Sequence, residues 1–167
     1  MEAILSRRSI RKYSRADVPD DLVRELLAAA MSAPSAGNEQ PWHFVVIRDR
    51  PTLVKIPEIH PYAGMIREAP VAILVCGDLE TTKFDGQYWV QDCAAATENL
   101  LIAVQSKGLG AVWLGVFPLA ERVQGLQELL GIPQHVVPFA LVPVGYPAER
   151  KPPANRYDEA RVHQNRW

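Results

Sequence analysis

The period of the apolar positions changes several times along the chain, and each change marks an element. Leu22, Leu26, Leu27 and Ala30 share one face at helical spacing. Pro19, Asp20 and Asp21 precede them and place negative charge where a helix dipole favours it, which predicts a helix from about Asp20 to Ser32. The next stretch, Ala33 to Pro41, is bracketed by prolines and rich in small and amide residues, so it reads as an ordered loop leading into a strand from Trp42 to Ile47. Val71 to Cys76 is continuously apolar and β-branched, the pattern of a strand buried on both faces. The longest helix is expected over Gly86 to Val104, with Asp85 as its N-cap and Gly108-Leu109-Gly110 ending it. Ala94, Ala95, Ala96 and Ala103 give it a narrow waist suited to the core or to a subunit interface. A third strand is expected from Ala111 to Phe117, a third helix from Leu119 to Leu130, and a fourth strand from Val136 to Gly145. Pro138 and Pro143 favour an edge or a bend for that last strand. Residues 51–70, with four prolines, read as a compact segment.

Strand and helix runs mix without a strict βαβ rhythm, which predicts an α+β fold. At 167 residues, with no internal repeat or Gly/Ser linker, the chain is expected to be a single domain over 1–167. From about residue 150 the chain turns polar and proline-bearing, and such a tail either frays or wraps a partner subunit. Eighteen basic against nineteen acidic residues supply no excess field for nucleic acid or an anionic membrane, so neither is an expected partner. No apolar stretch approaches a membrane span and the start lacks a leader-like apolar core, so a cytoplasmic location is expected. Cys76 and Cys93 form no CxxC pair and read as buried small hydrophobes. The four histidines are scattered without metal-ligand spacing, and no metal site is expected.

Three constellations could carry chemistry. Arg7, Arg8, Ser9 and Arg11 combine guanidinium forks with a hydroxyl, a set that can grip one phosphate or form a solvated basic turn. Pro34, Ser35, Ala36, Asn38 and Gln40 lie in a stiff loop of reachable amides, suited to the mixed polar edge of a flat heterocycle or to an ordinary helix-to-strand connection. Trp42, which follows, reads as core. The run Gly108 to Gly115 fails as a dinucleotide fingerprint, because it follows a helix and Trp113 stands where the third glycine belongs. What remains is a strand ending at Gly115, where backbone can approach a ligand.

Taken in order, RRSIRKY, APSAGNEQPWHFVVI, DCAAATENLLIAVQSKGLGAVWLG and VPVGYP with its basic tail resemble the nitroreductase-like flavoproteins, over about residues 1 to 158. The resemblance implies a central, mostly antiparallel sheet flanked by helices in an intertwined homodimer, with the tail wrapping the partner. It also implies FMN as cofactor and NADH or NADPH as electron donor. Carried onto this chain, Arg7, Arg8, Ser9 and Arg11 hold the phosphate, ribityl chain and pyrimidine end, and Arg156 completes the phosphate site. Pro34, Ser35, Ala36, Asn38 and Gln40 serve the other subunit's FMN, while the backbone of Trp113, Leu114 and Gly115 approaches flavin N5. No catalytic side chain is expected; Arg11 acts as an electrostatic tuner where charge develops on reduction. The implied activity is reduction of nitroaromatics, quinones or a related small electron-poor acceptor. Dehalogenation, flavin fragmentation or a non-catalytic FMN sensor are the alternatives. Larger relatives carry a helical excursion over the acceptor where this chain has only residues 51–70, and the Asn they use on the flavin pyrimidine has no equivalent there.

Overall fold

The computed structural model describes all residues, 1–167. In chain order the elements are α1 (Glu2–Ser6), α2 (Asp20–Met31), β1 (Trp42–Ile47), α3 (Arg50–Ile59), β2 (Val71–Asp78), α4 (Trp89–Ser106), β3 (Gly110–Ala111), β4 (Leu114–Gly115), α5 (Ala120–Leu130) and β5 (Val136–Gly145). The strands form one antiparallel sheet in the order β1-β2-β5-β3, with β4 also on β5. No helix is long and apolar enough to cross a membrane.

β2 shows why its sequence is apolar throughout. Val71, Ile73 and Val75 enter one core with α2 and α4, while the alternating Ala72, Leu74 and Cys76 enter a second core with Leu53 and Ile56 of α3 and Leu126 of α5. A strand with helices on both faces has no wet side to mark with polar residues. Both cysteines and Trp42 are buried as expected.

α4 ends as its glycines predict: Gly108 is left-handed, its N–H bonds Gln105 O at 3.1 Å, and the Leu109 N–H bonds Val104 O at 3.0 Å. Its start is a correction. Phe84, Asp85 and Gly86 are all left-handed, with φ of 55°, 56° and 69°, so the helix begins only at Trp89 and Asp85 does not cap it. Residues 51–70 contain α3, which the prolines conceal. Asp49 caps it by accepting from the Thr52 N–H at 2.9 Å, Pro51 sits in the first turn where its missing N–H costs nothing, and Pro57 falls just before the end.

The proline-bearing strand is central, not an edge, and its neighbours bear the consequence. Pro138 stands where the β2 register shifts between Val75 and Cys76. On the other side, the registers Ala111↔Val144 and Leu114↔Leu141 put Val112 opposite Pro143. Proline has no N–H to donate. The expected single strand from Ala111 to Phe117 is therefore broken there into β3 and β4.

Candidate flavin-binding site

The arginine segment is sewn into the sheet edge by its backbone. Ile10 N–H donates to Ala111 O at 2.9 Å, Ser14 N–H to Tyr146 O at 2.8 Å, and Tyr13 bridges Pro147. Tyr13 is buried, and its hydroxyl donates to Ile10 O at 2.7 Å. Burial pushes this phenol up, so it stays neutral. The side chains point to less crowded places. Arg7 lies 3.5 Å from Glu98 of α4, Arg8 bonds the Pro152 carbonyl, and the Arg11 side chain is exposed while its N–H donates to Glu149 at 2.6 Å. A cleft of about 290 Å³ opens here, lined by Arg8, Ile10, Gln105, Leu109, Glu149 and Lys151 among others.

Lys151, which sequence reasoning passed over, donates to Ser9 O at 2.6 Å and lies 3.3 Å from Glu149. Bonds from the Arg11 N–H and Lys151 hold Glu149 below the usual carboxylate range. Arg156 is exposed and bonds to nothing in its own chain. Only a basic residue's place in the tail could have singled out Lys151, and the tail holds several.

The loop is built the other way round. Its backbone is bent: Gly37, Asn38 and Gln40 have φ of 52°, 55° and 48°. Two of these are non-glycine residues, an arrangement that persists only where surroundings over-determine it. Asp92 of α4 accepts from the Ala36 N–H at 3.0 Å, Ser35 Oγ from the Gln40 N–H at 3.0 Å, and Glu39 from the Lys83 N–H at 2.6 Å. Gln40 Nε2 donates to Asn38 Oδ1 at 2.9 Å, and both amides face solvent. Pro34 is exposed at the loop entrance, and Pro41 is buried at its exit.

At the third constellation Trp113 is half-buried, with its ring 5.6 Å from that of Phe139, and Leu114 is buried. Gly115 is exposed, and a side chain there would meet nothing. Its carbonyl accepts from Arg122 at 2.7 Å and lies 3.0 Å from His60 Nε2, which is 3.3 Å from the same Arg122 nitrogen. Burial, then the Arg122 charge, holds the His60 pKa below its ordinary value, so the ring is neutral. His60 and Arg122 carried no sequence signal, because the fold alone brings them to Gly115.

The register decides which clusters meet. Ala111 faces Val144, which faces Val71 at one end of β2, so the arginine segment sits at that end. Gly115 lies farther along, facing Ala140, which faces Val75 of β2. Trp42, where the loop ends, faces Gly77 at the other end of β2, roughly 20 Å away at about 3.4 Å per residue. Within one chain, the edge runs from the arginine segment at the Val71 end to Gly115 level with Val75, and the loop lies remote from the arginines.

One edge of the α+β sheet thus carries the arginine segment and an exposed backbone glycine. The nitroreductase family model matches residues 4–60 and 58–146. A Methanothermobacter thermautotrophicus protein provisionally named NADH dehydrogenase/NAD(P)H nitroreductase is 52% identical over all of this chain and 87% of its own length. A solved structure from Parabacteroides distasonis with the same provisional name superposes at a TM-score of 0.94, is 40% identical, and is matched over 99% of this chain and 97% of that one. A provisionally named nitroreductase from Desulfovibrio desulfuricans, solved in complex with FMN, gives 0.85 and 33% identity over 99% and 96%. The chain belongs to the nitroreductase family of oxidoreductases.

Proposed function

We propose that this chain is an FMN-dependent NAD(P)H oxidoreductase that works as a homodimer on nitroaromatics, quinones or related electron-poor acceptors. The observation that carries this reading is the segment bearing Arg7, Arg8 and Arg11, bridged at Ser9 to Ala111, on the same edge as the open backbone at Gly115. These residues fit FMN: the arginines suit its phosphate, and the bare Gly115 suits a flat ring. When bound, FMN supplies two-electron chemistry, taking hydride from NADH or NADPH and delivering it from N5.

Arg7, Arg8, Ser9, Lys151 and the tail's Arg156 bind the phosphate. Arg7 gives up little to do so, because its contact with half-exposed Glu98 is an ion pair of low worth. Arg11, free of any side-chain partner, stabilises negative charge at the flavin pyrimidine. His60 and Arg122 hold the Gly115 carbonyl, which orients the backbone from Trp113 through Leu114 to Gly115 against the ring.

Pro34, Ser35, Ala36, Asn38 and Gln40 serve the FMN of the second copy, which is how clusters at opposite ends of one chain come to act together. Three features support the second copy: Ile4 and Leu5 are exposed on α1, the outer face of α4 carries half-exposed Ala94, Ala95 and Ile102, and the tail ends on fully exposed Trp167.

Purified protein should be yellow, release FMN on denaturation and bleach under NADH or NADPH without oxygen. Colourless protein that takes up no FMN overturns the reading. A bound flavin that NAD(P)H cannot reduce, with turnover by another donor, moves it to other chemistry such as reductive dehalogenation.

A further inference from the structure

Two carboxyl groups lie buried together behind the loop. Glu39 is 8% exposed and Asp92 is 5% exposed. Each spends one oxygen on a backbone amide of a bent segment: Glu39 Oε2 on Lys83 N–H and Asp92 Oδ1 on Ala36 N–H. The remaining oxygens, Glu39 Oε1 and Asp92 Oδ2, are buried and have no donor if both groups are ionised. Like charges buried side by side cannot both persist, and a single proton between the two carboxyls gives each orphaned oxygen a partner.

We propose that Asp92 keeps a proton and donates it to Glu39, so that the two act as positioning residues, latching Ser35 to Gln40 in the bent form that presents Asn38 and Gln40. The functional part of this inference rests on the FMN reading of the site. Burial, opposed by the Ala36 amide and reinforced by Glu39, holds the Asp92 carboxyl above the ordinary carboxylate range.

The charged and titratable neighbours are few. Lys83, on the turn before α4, sends its ammonium to Gly37 O at 2.8 Å. Cys93 of α4 and Cys76 of β2 are thiols that burial keeps protonated. Asp78 at the end of β2 lies 3.5 Å from His43 of β1, and Asp85 is exposed on the turn.

Between the ordinary carboxyl range and the raised value, the folded chain holds a proton that the unfolded chain has lost, so stability falls as pH rises through that window. The same loss should loosen the loop and release FMN. The test is a pH series from about 4, the ordinary carboxyl range, to about 9 on FMN-loaded protein, reading flavin release by fluorescence and the thermal midpoint in the same samples, with an expected loss of about tenfold in affinity as pH rises, the equivalent of one pKa unit.

Asp92→Asn and Glu39→Gln are run alongside. Each amide can both accept the backbone N–H and donate to the remaining carboxylate, which mimics the shared proton permanently. Both profiles should flatten relative to the unaltered protein. A flat profile in the unaltered protein, or variants that keep its slope, overturns the proposal. Should no FMN be taken up at any pH, the cofactor reading fails, while the midpoint series still decides whether the pair shares a proton.

Discussion

The two halves of the site are held by opposite means. At the arginine segment the backbone does the holding, through Ile10 to Ala111 and Ser14 to Tyr146, and the charged side chains take no part in that ladder: Arg7 reaches Glu98, Arg8 the Pro152 carbonyl, and Arg11 is exposed. At the loop, buried side chains do the holding, through Asp92 and Glu39, and the bent backbone presents the amides. Substitution in the first half should therefore change ligand binding with little change in fold. Substitution behind the second should change both together.

The largest expected effect breaks the loop's support. Trp89 opens α4 three residues before Asp92, and its ring packs 4.9 Å from that of Phe117, 6.0 Å from that of Phe139, and against the bare face of Gly77. Trp89→Ala should cost about 3–5 kcal/mol in urea unfolding, as other large-to-small core changes do, and should release FMN as well. A loss under about 1 kcal/mol, the scale of a surface change, would remove Trp89 from the loop's support.

Arg8→Ala tests the opposite side. It should weaken FMN by about 1.5–3 kcal/mol, the worth of a hydrogen bond to a charged group, while apo unfolding stays within about 0.5 kcal/mol. Equal FMN titrations in both proteins would refute its phosphate role.

Asn38→Ala should cost about 1 kcal/mol of FMN binding, a neutral hydrogen bond. In mixed dimers carrying Asn38→Ala on one chain and Arg8→Ala on the other, placement across the interface leaves one site with both defects and one intact. Two sites with one defect each, one weakened as by Arg8→Ala alone and the other as by Asn38→Ala alone, would instead show that the loop serves its own chain.

The smallest effect sharpens the ring end. With its pKa held below the ordinary value, His60 is neutral in the folded chain, so the unfolded chain binds more protons as pH falls below the histidine range. Stability should decline on the acid side, and His60→Gln should reduce that decline in midpoints taken across acid pH. An unchanged acid limb in His60→Gln would show that the ring does not titrate on unfolding.

Much of this architecture is written in local pattern. α2, β1 and β5 lie close to where periodicity puts them, because each buries a continuous stripe or face. The arginine segment and the amide loop were visible as clusters because contiguous residues of unusual type need no fold to be noticed. α3 was hidden, since Pro57 argues against a helix that only the packing of Leu53 and Ile56 on the sheet sustains. Glu39 and Asp92, far apart in sequence, carry no local sign of burial, and neither do His60 and Arg122 around Gly115.

By itself the amino-acid order determined most of the elements, the α+β class and the residue types available to a cofactor, all of which follow from local spacing and side-chain chemistry. Only tertiary structure decided that β5 is central, that Pro143 breaks the strand opposite it, and that the arginines and the loop stand at opposite ends of the sheet. Register and burial are relations between distant segments, settled by which backbone groups find partners and which charges lose their water, and no single stretch of sequence contains them.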